Sequence, residues 1–397
     1  MTTSLALMLI LGMAANALFV KMRLPGLLGM LLLGVLLGPY VLNWLDPDML
    51  RMSGDLRLLA LIIILLRAGL GIKREALNRV GVTALKLSCI PGLCEGFAIA
   101  FVSIYLLGFS FIEGGILGFI VAAVSPAVVV PPMLNFIDRR VGAKNNVPTL
   151  ILAGASIDDV FAITLFSAFL GLYGGHHVNI GLQLLGIPLS IVLGIGLGLV
   201  VSIVLVRLFT TYYIRSTKKV MMILGVAIFL TAVEKTLKAR VEIASLLGVM
   251  TIGFILLEKM PEVAAKLAGK FNRIWLFAEI LLFMLVGAQV NIHVALDAGL
   301  TGLLLIAIGL AARSVGVVLS TFGTPLTSRE RFFCIVSYLP KATVQAAIGA
   351  IPLSMGVPSG DVILAIAVLS ILITAPIGAI GIEYFSKRCL EVESESA

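Results

Sequence analysis

The sequence predicts an all-α polytopic membrane protein of about thirteen transmembrane helices, and three observations carry that reading. Hydrophobic residues fill 60% of 397 positions and charged residues only 13%, at a mean hydropathy of +1.14, far from the composition of a soluble domain. Apolar runs of 16–25 residues recur along the whole chain, the length that a rise of about 1.5 Å per residue needs to cross about 30 Å of hydrocarbon. Runs such as "LLGMLLLGVLLG" show no alternation, so they read as helices and not as the strands of a barrel.

The runs fall at about 3–20, 26–45, 57–72, 80–107, 112–135, 149–174, 179–208, 219–236, 241–258, 272–291, 298–321, 330–352 and 361–385. The first begins at Leu5 without a basic leader and is followed at once by Lys21 and Arg23; it reads as a retained span, with a cleaved signal peptide as the alternative. Basic residues crowd the odd-numbered connections: Lys21 and Arg23; Lys73, Arg74 and Arg79; Arg139, Arg140 and Lys144; Arg215, Lys218 and Lys219; Lys259, Lys266, Lys270 and Arg273; Arg329 and Arg331. The even-numbered connections hold chiefly Arg51, Arg57, Lys238 and Arg240. The positive-inside rule then puts the N-terminus outside and the C-terminal "SKRCLEVESESA" in the cytoplasm. No connection is long enough for a soluble domain, so residues 1–397 read as a single transmembrane unit.

An internal repeat is visible when residues 27–38 are set against 246–257: Gly29 matches Gly248 and Gly34 matches Gly253 at an offset of 219. Nearly the same offset lays Glu95 against Arg313, and Ser125-Pro126 against Leu339-Pro340. The matched runs are seven spans apart, and an odd displacement inverts orientation, which predicts an inverted repeat. The first repeat covers about 26–174, linking helices about 179–236, and the second repeat about 241–385. Both "AAVSPAVVVPPML" and "SYLPKATVQAAIG" carry prolines that remove a backbone donor in mid-span, so Pro126 and Pro340 mark a pair of broken helices crossing near the midplane.

Five ionisable residues lie well inside these runs: Glu95, Asp158, Asp159, Arg313 and Lys341. Each costs roughly 2.5–3.5 kcal/mol at a helix centre, so they must be paired, hydrated or bound to something. Arg67 sits nearer the end of its run and snorkels. Adjacent helical residues point about 100° apart, so Asp158 and Asp159 face two sides of one cavity, and two such carboxylates titrate as a unit. Hard oxygen donors suit Na⁺ or Li⁺, with Ser125 or carbonyls of the broken helices as further ligands. Lys341, just past Pro340, is a partner for Asp158 when no cation is bound, and Glu95 with Arg313 reads as a permanent buried ion pair. No basic cluster interleaved with aromatics points to nucleic acid. Cys89, Cys94, Cys334 and Cys389 form no CxxC, and His176, His177 and His293 fall in connections, so neither a disulfide frame nor a zinc site is expected.

Four motifs in order, "LLRAGLG", "SPAVVVPPML", "GASIDDVFAIT" and "LPKATVQAAIG", resemble the monovalent cation:proton antiporter superfamily, in particular its Na⁺/H⁺ exchanger branch with an Asp-Asp pair. The resemblance implies an ion-translocating core, here about 80–174 and 298–385, packed against a dimerisation domain, about 1–45 and 179–258, with elevator-like alternating access. It assigns Asp159 the cation and proton, pairs Asp158 with Lys341, places Ser125 at the crossing, and makes Glu95 and Arg313 a charged pair. Asp-Asp with a lysine goes with electrogenic exchange in that family. The expected activity is therefore exchange of Na⁺ or Li⁺ for H⁺ across a cell (inner) membrane by a homodimer, without a cofactor. The alternative is Na⁺-coupled symport of an organic anion, which would want more polar groups at the crossing than Ser125, Thr343 and Gln345. A channel would need acidic rings, and an enzyme a nucleophile and base; neither pattern is present.

Overall fold

The computed structural model describes residues 1–22, 24–72, 74–173, 180–237, 243–292 and 299–391. Arg23, Lys73, Lys238, Arg240, the three histidines and the tail beyond residue 391 lie outside these residues. The described chain is helical throughout, in the order α1 (Thr2–Lys21), α2 (Gly26–Leu37), α3 (Pro47–Arg51), α4 (Ser53–Gly71), α5 (Arg74–Leu107), α6 (Phe111–Ala122), α7 (Pro126–Asp138), α8 (Val147–Tyr173), α9 (Ile180–Thr211), α10 (Ser216–Leu237), α11 (Ser245–Lys259), α12 (Pro261–Ala288), α13 (Gly299–Thr321), α14 (Ser328–Ser337), α15 (Thr343–Ile348), α16 (Ile351–Ser354) and α17 (Gly360–Cys389). Among the described residues, nine segments are long and apolar enough to cross a membrane. The other expected runs are α2, α4, α11 and the α14–α16 assembly, which are shorter, interrupted or charged.

Three boundaries differ from expectation, each for a local reason. The second run stops at Leu37 because Gly38 turns extended (φ −64°, ψ 171°) ahead of Pro39. The chain then re-enters a helix at α3, where Asp46 caps by accepting from the Asp48 N–H and Pro47 fills the first helical position. Third, α12 starts at Pro261, so Lys266, Lys270 and Arg273 sit on a helix and not in a connection. Ala264, Leu267, Phe271, Trp275 and Ala278 recur at helical spacing and are buried, giving that extension an apolar stripe to pack.

Two groups of helices build the fold. In one, α5 packs on α6, α8 and α13; in the other, α4 lies between α11 and α12, with α2 on α12 and α9 on α11. Contacts of α4 with α7 and of α8 with α9 join the groups. The glycines of the repeat sit at equivalent crossings. A Cβ on Gly34 would lie 2.2 Å from the Met284 carbonyl oxygen of α12, and one on Gly253 would lie 2.6 Å from the Leu66 carbonyl oxygen of α4. Residues 284 and 66 are themselves separated by 218, close to the repeat offset, so α2 on α12 and α11 on α4 are the same packing made twice.

Because backbone of the facing helix fills the space above Gly253, Gly253→Val should overpack the α4–α11 crossing by about 1–3 kcal/mol. The measurement is thermal unfolding of the detergent-purified protein. A lower midpoint is expected; an unchanged one would mean the two backbones do not approach as described.

Candidate functional site

The spans that carry Pro126 and Pro340 are both interrupted, and the interruptions meet. Between α6 and α7, Ala123 (φ −65°, ψ 132°) and Ser125 (φ −86°, ψ 108°) are extended, and Pro126 takes the first position of α7. Between α14 and α15 the chain runs through Tyr338, Pro340 and Lys341 to Ala342 (φ −162°, ψ −75°). The Ser125 N–H donates to the Pro340 carbonyl at 2.8 Å, which ties one break to the other. Proline alone does not make a break: Pro131 and Pro132 in α7, Pro91 in α5 and Pro376 in α17 are carried inside continuous helices. What distinguishes the two sites is the supply of polar groups to replace the lost bonds.

That supply can be followed bond by bond. An unbroken helix would give the carbonyls of Ile120, Val121 and Ala122 to the amides of residues 124, 125 and 126. Here the Val124 N–H donates to Asp158 Oδ2 at 2.7 Å, the Ser125 N–H goes to Pro340, and Pro126 has none to give. Gln345 Nε2 stands within hydrogen-bonding distance of the carbonyls of Ile120 (3.0 Å), Val121 (3.3 Å) and Ala123 (2.9 Å). Arg313 Nη1 donates to Ala122 O at 2.8 Å, while its Nε donates to Tyr338 O of the other break at 2.8 Å. In a membrane, where water cannot fill in, such replacements are obligatory.

The buried charges are woven into the same network. Glu95, Arg313 and Lys341 are fully inaccessible and Asp158 is 1% exposed. Arg313 bridges Glu95 Oε2 at 3.2 Å and both oxygens of Asp158 at 3.3 Å. Lys341 Nζ donates to Glu95 Oε2 at 2.6 Å and approaches Ala122 O at 3.4 Å. The Glu95–Arg313 contact anticipated from the repeat is therefore present, whereas the anticipated Asp158–Lys341 pairing is replaced. The Lys341 main-chain N–H is anchored to Thr374 Oγ1 of α17 at 2.8 Å, its side chain reaches α5, and the guanidinium of Arg313 occupies the place beside Asp158. Ser125 is buried at the crossing with its hydroxyl 3.4 Å from Thr343 Oγ1.

Asp159 lies apart from this network. Its Oδ1 is buried without a hydrogen-bond partner, and no ion pair holds it among the described residues. It lines a cavity of about 140 Å³ together with Ser156 and Thr164 of α8, Pro126, Leu61 and Leu65 of α4, and Ser190, Glu234 and Ser245 from α9, α10 and α11. The two adjacent aspartates thus point in different directions, as consecutive helical residues must. Sequence reasoning missed Glu234, which falls at the end of the expected run 219–236 and so outside the criterion that picked out Glu95. It also missed the role of Gln345, whose amide serves carbonyls that only the structure shows to be orphaned.

These features define a multi-pass α-helical membrane protein whose two interrupted helices cross beside buried carboxylates. The chain belongs to the sodium/hydrogen exchanger family: the family described as sodium/hydrogen exchanger, transmembrane, matches residues 5–388. Human sodium/hydrogen exchanger 9B2 is 34% identical over 388 residues, covering 93% of this chain and 70% of that protein. Human sodium/hydrogen exchanger 9B1 is 32% identical over 375 residues, covering 90% and 71%. The fold is similar to that of the sodium proton antiporter MjNhaP1 from Methanocaldococcus jannaschii, with a TM-score of 0.79, 20% identity and 97% of each chain covered.

Arg313 serves two carbonyls and two carboxylates, Lys341 one carboxylate and one carbonyl, both of which Arg313 also serves. Arg313→Met should therefore cost roughly 3–5 kcal/mol by stranding buried acids, and Lys341→Met clearly less. Thermal unfolding of both variants checks this; equal losses, or the reverse order, would contradict the described network.

Proposed function

We propose that the chain is a secondary active antiporter that exchanges Na⁺, with Li⁺ as a second cargo, for H⁺ by elevator-like alternating access. One observation carries the reading: the formal charges of Glu95, Asp158, Arg313 and Lys341 cancel within one bonded cluster, which leaves Asp159 as the one intramembrane acid of the Asp-Asp pair facing open space. A carboxylate inside a membrane that no ion pair holds binds a proton or a cation, and the two compete for the same atoms. The cavity lies between the α5–α8 group and the helices α4, α9, α10 and α11, the seam along which one group would slide past the other. Family membership and the names of the relatives support the same exchange.

The proposed transport is electrogenic, with Lys341 as second proton carrier. Arg313 also pairs with Glu95, so Lys341 can lose its proton without leaving Glu95 alone. The protein would work as a homodimer in a cell membrane, N-terminus outside, through helices about 1–45 and 179–258. The symport alternative is disfavoured, because the Gln345 amide nitrogen at the crossing is already committed to backbone carbonyls.

In proteoliposomes with an imposed pH gradient, added Na⁺ should dissipate the gradient, and Asp159→Asn should abolish that response. Failure of the wild-type protein to couple Na⁺ to proton movement, with uptake of an organic anion instead, would overturn the reading. Lys341→Gln should keep exchange but remove its dependence on membrane potential; a potential dependence equal to wild type would exclude Lys341 as a carrier.

A further inference from the structure

A buried charge outside the quartet, Arg57, has no counter-charge among the described residues. It stands in the second turn of α4, 8% exposed, and its side chain folds back along the helix so that Nε donates to the Ser53 carbonyl at 3.2 Å. The Ser53 hydroxyl accepts in turn from Gln289 Nε2, at the end of α12, at 2.6 Å, so two helices fix this end of the guanidinium. The other end, the fork of Nη1 and Nη2, has no hydrogen bond among the described residues, and neither nitrogen is sealed from solvent. The acids nearest in sequence are engaged elsewhere, Asp48 with Arg51 and Asp55 with Lys235, each at 3.0 Å. Arg57 lines a cavity of about 470 Å³. Across from α4 and α12, its wall is apolar, from Ala346 of α15 and Leu364 and Val368 of α17, and Tyr40, 41% exposed, stands at its rim.

A charge withdrawn from water without a partner is costly, and a cation in a largely apolar cavity concentrates anions. The paired N–H groups at the end of a guanidinium match two oxygens of a phosphate or carboxylate. We infer that the cavity beside Arg57 is an anion site, in which Nη1 and Nη2 hold one phosphate group, of the free ion or of an acidic lipid headgroup. The anion is a resident counter-ion and not a cargo. Because Ser53 and Gln289 already orient the guanidinium, the fork is set before the anion arrives and little order is lost on binding. The site lies apart from Asp159 and does not depend on which ions are exchanged. Its occupant would touch α4 and α12 on one side and α15 and α17 on the other, and so favour the spacing at which they now stand.

The test is thermal unfolding of the detergent-purified full chain as inorganic phosphate replaces chloride at fixed Na⁺, pH and ionic strength. The wild-type midpoint should rise with phosphate and saturate at roughly 2–4 °C. Arg57→Met, which fills a similar volume without the charge, should lose that shift and, without phosphate, unfold no earlier than wild type. Arg57→Lys keeps the charge but not the fork, and should keep a smaller shift. The same variants in nanodiscs of phosphatidylcholine, with and without phosphatidylglycerol, separate the sources. A shift with inorganic phosphate assigns the free ion; a shift with phosphatidylglycerol alone assigns the headgroup. No wild-type shift from either source overturns the site, as does a shift that survives in Arg57→Met. Clearly earlier unfolding of Arg57→Met without phosphate marks Arg57 as a structural donor and overturns it too. Na⁺-driven accumulation of labelled phosphate in proteoliposomes would overturn the resident role.

Discussion

A helix interrupted in a membrane has orphaned carbonyls that no water can satisfy, and the fold is organised around one side chain that answers this at both interruptions. Arg313 donates to Ala122 O of the first break and Tyr338 O of the second, at 2.8 Å each. Five donors in a rigid fork allow it to bridge Glu95 and Asp158 as well. A lysine at this position would have three donors on a flexible stem and could not hold two backbones and two acids in fixed geometry. Gln345 and the direct Ser125–Pro340 bond complete the crossing, so the two halves of the repeat are joined through the groups that helix breaking releases.

This arrangement sets the chemistry. Buried ions are tolerated when paired, and each member of the quartet of Glu95, Asp158, Arg313 and Lys341 meets an opposite charge within it, with Glu95 Oε1 left without a hydrogen bond. Asp158 is further fixed by the Val124 amide at the N-terminal side of α7. Its neighbour Asp159 shares none of these bonds and opens onto a cavity. The two aspartates, identical in sequence terms, are thereby divided into an anchor and a group still free to bind. The helix geometry makes that division unavoidable, since side chains one residue apart cannot reach the same partner.

Much of this was legible in the residue order. Bilayer-length runs predicted the helices, the offset between Gly34 and Gly253 predicted an equivalence that the α2–α12 and α11–α4 crossings display, and the five intramembrane charges marked the centre. What the order could not convey was partner choice. The repeat set Arg313 against Glu95 and left Lys341 for Asp158; only the path of the chain through Pro340 and the anchoring of Lys341 on Thr374 direct the lysine to Glu95. Likewise the prolines predicted interruptions, yet Pro131, Pro132, Pro91 and Pro376 have the same local chemistry and no break. A break needs remote donors, and remote donors are a property of packing. The extension of α12 past its apolar run escaped notice for a similar reason, its buried stripe being interleaved with lysines and arginines.

The central claim is that Asp158 anchors the crossing and Asp159 binds the exchanged ion. Thermal unfolding of Asp158→Asn and Asp159→Asn, each followed with and without Na⁺ at fixed ionic strength, tests it most directly. The account predicts that Asp158→Asn lowers the midpoint in the absence of Na⁺ because Arg313 and Val124 lose their charged partner. It predicts that Asp159→Asn keeps or raises that midpoint and loses the stabilisation by Na⁺. Loss of the Na⁺ effect in Asp158→Asn with its retention in Asp159→Asn would contradict the account.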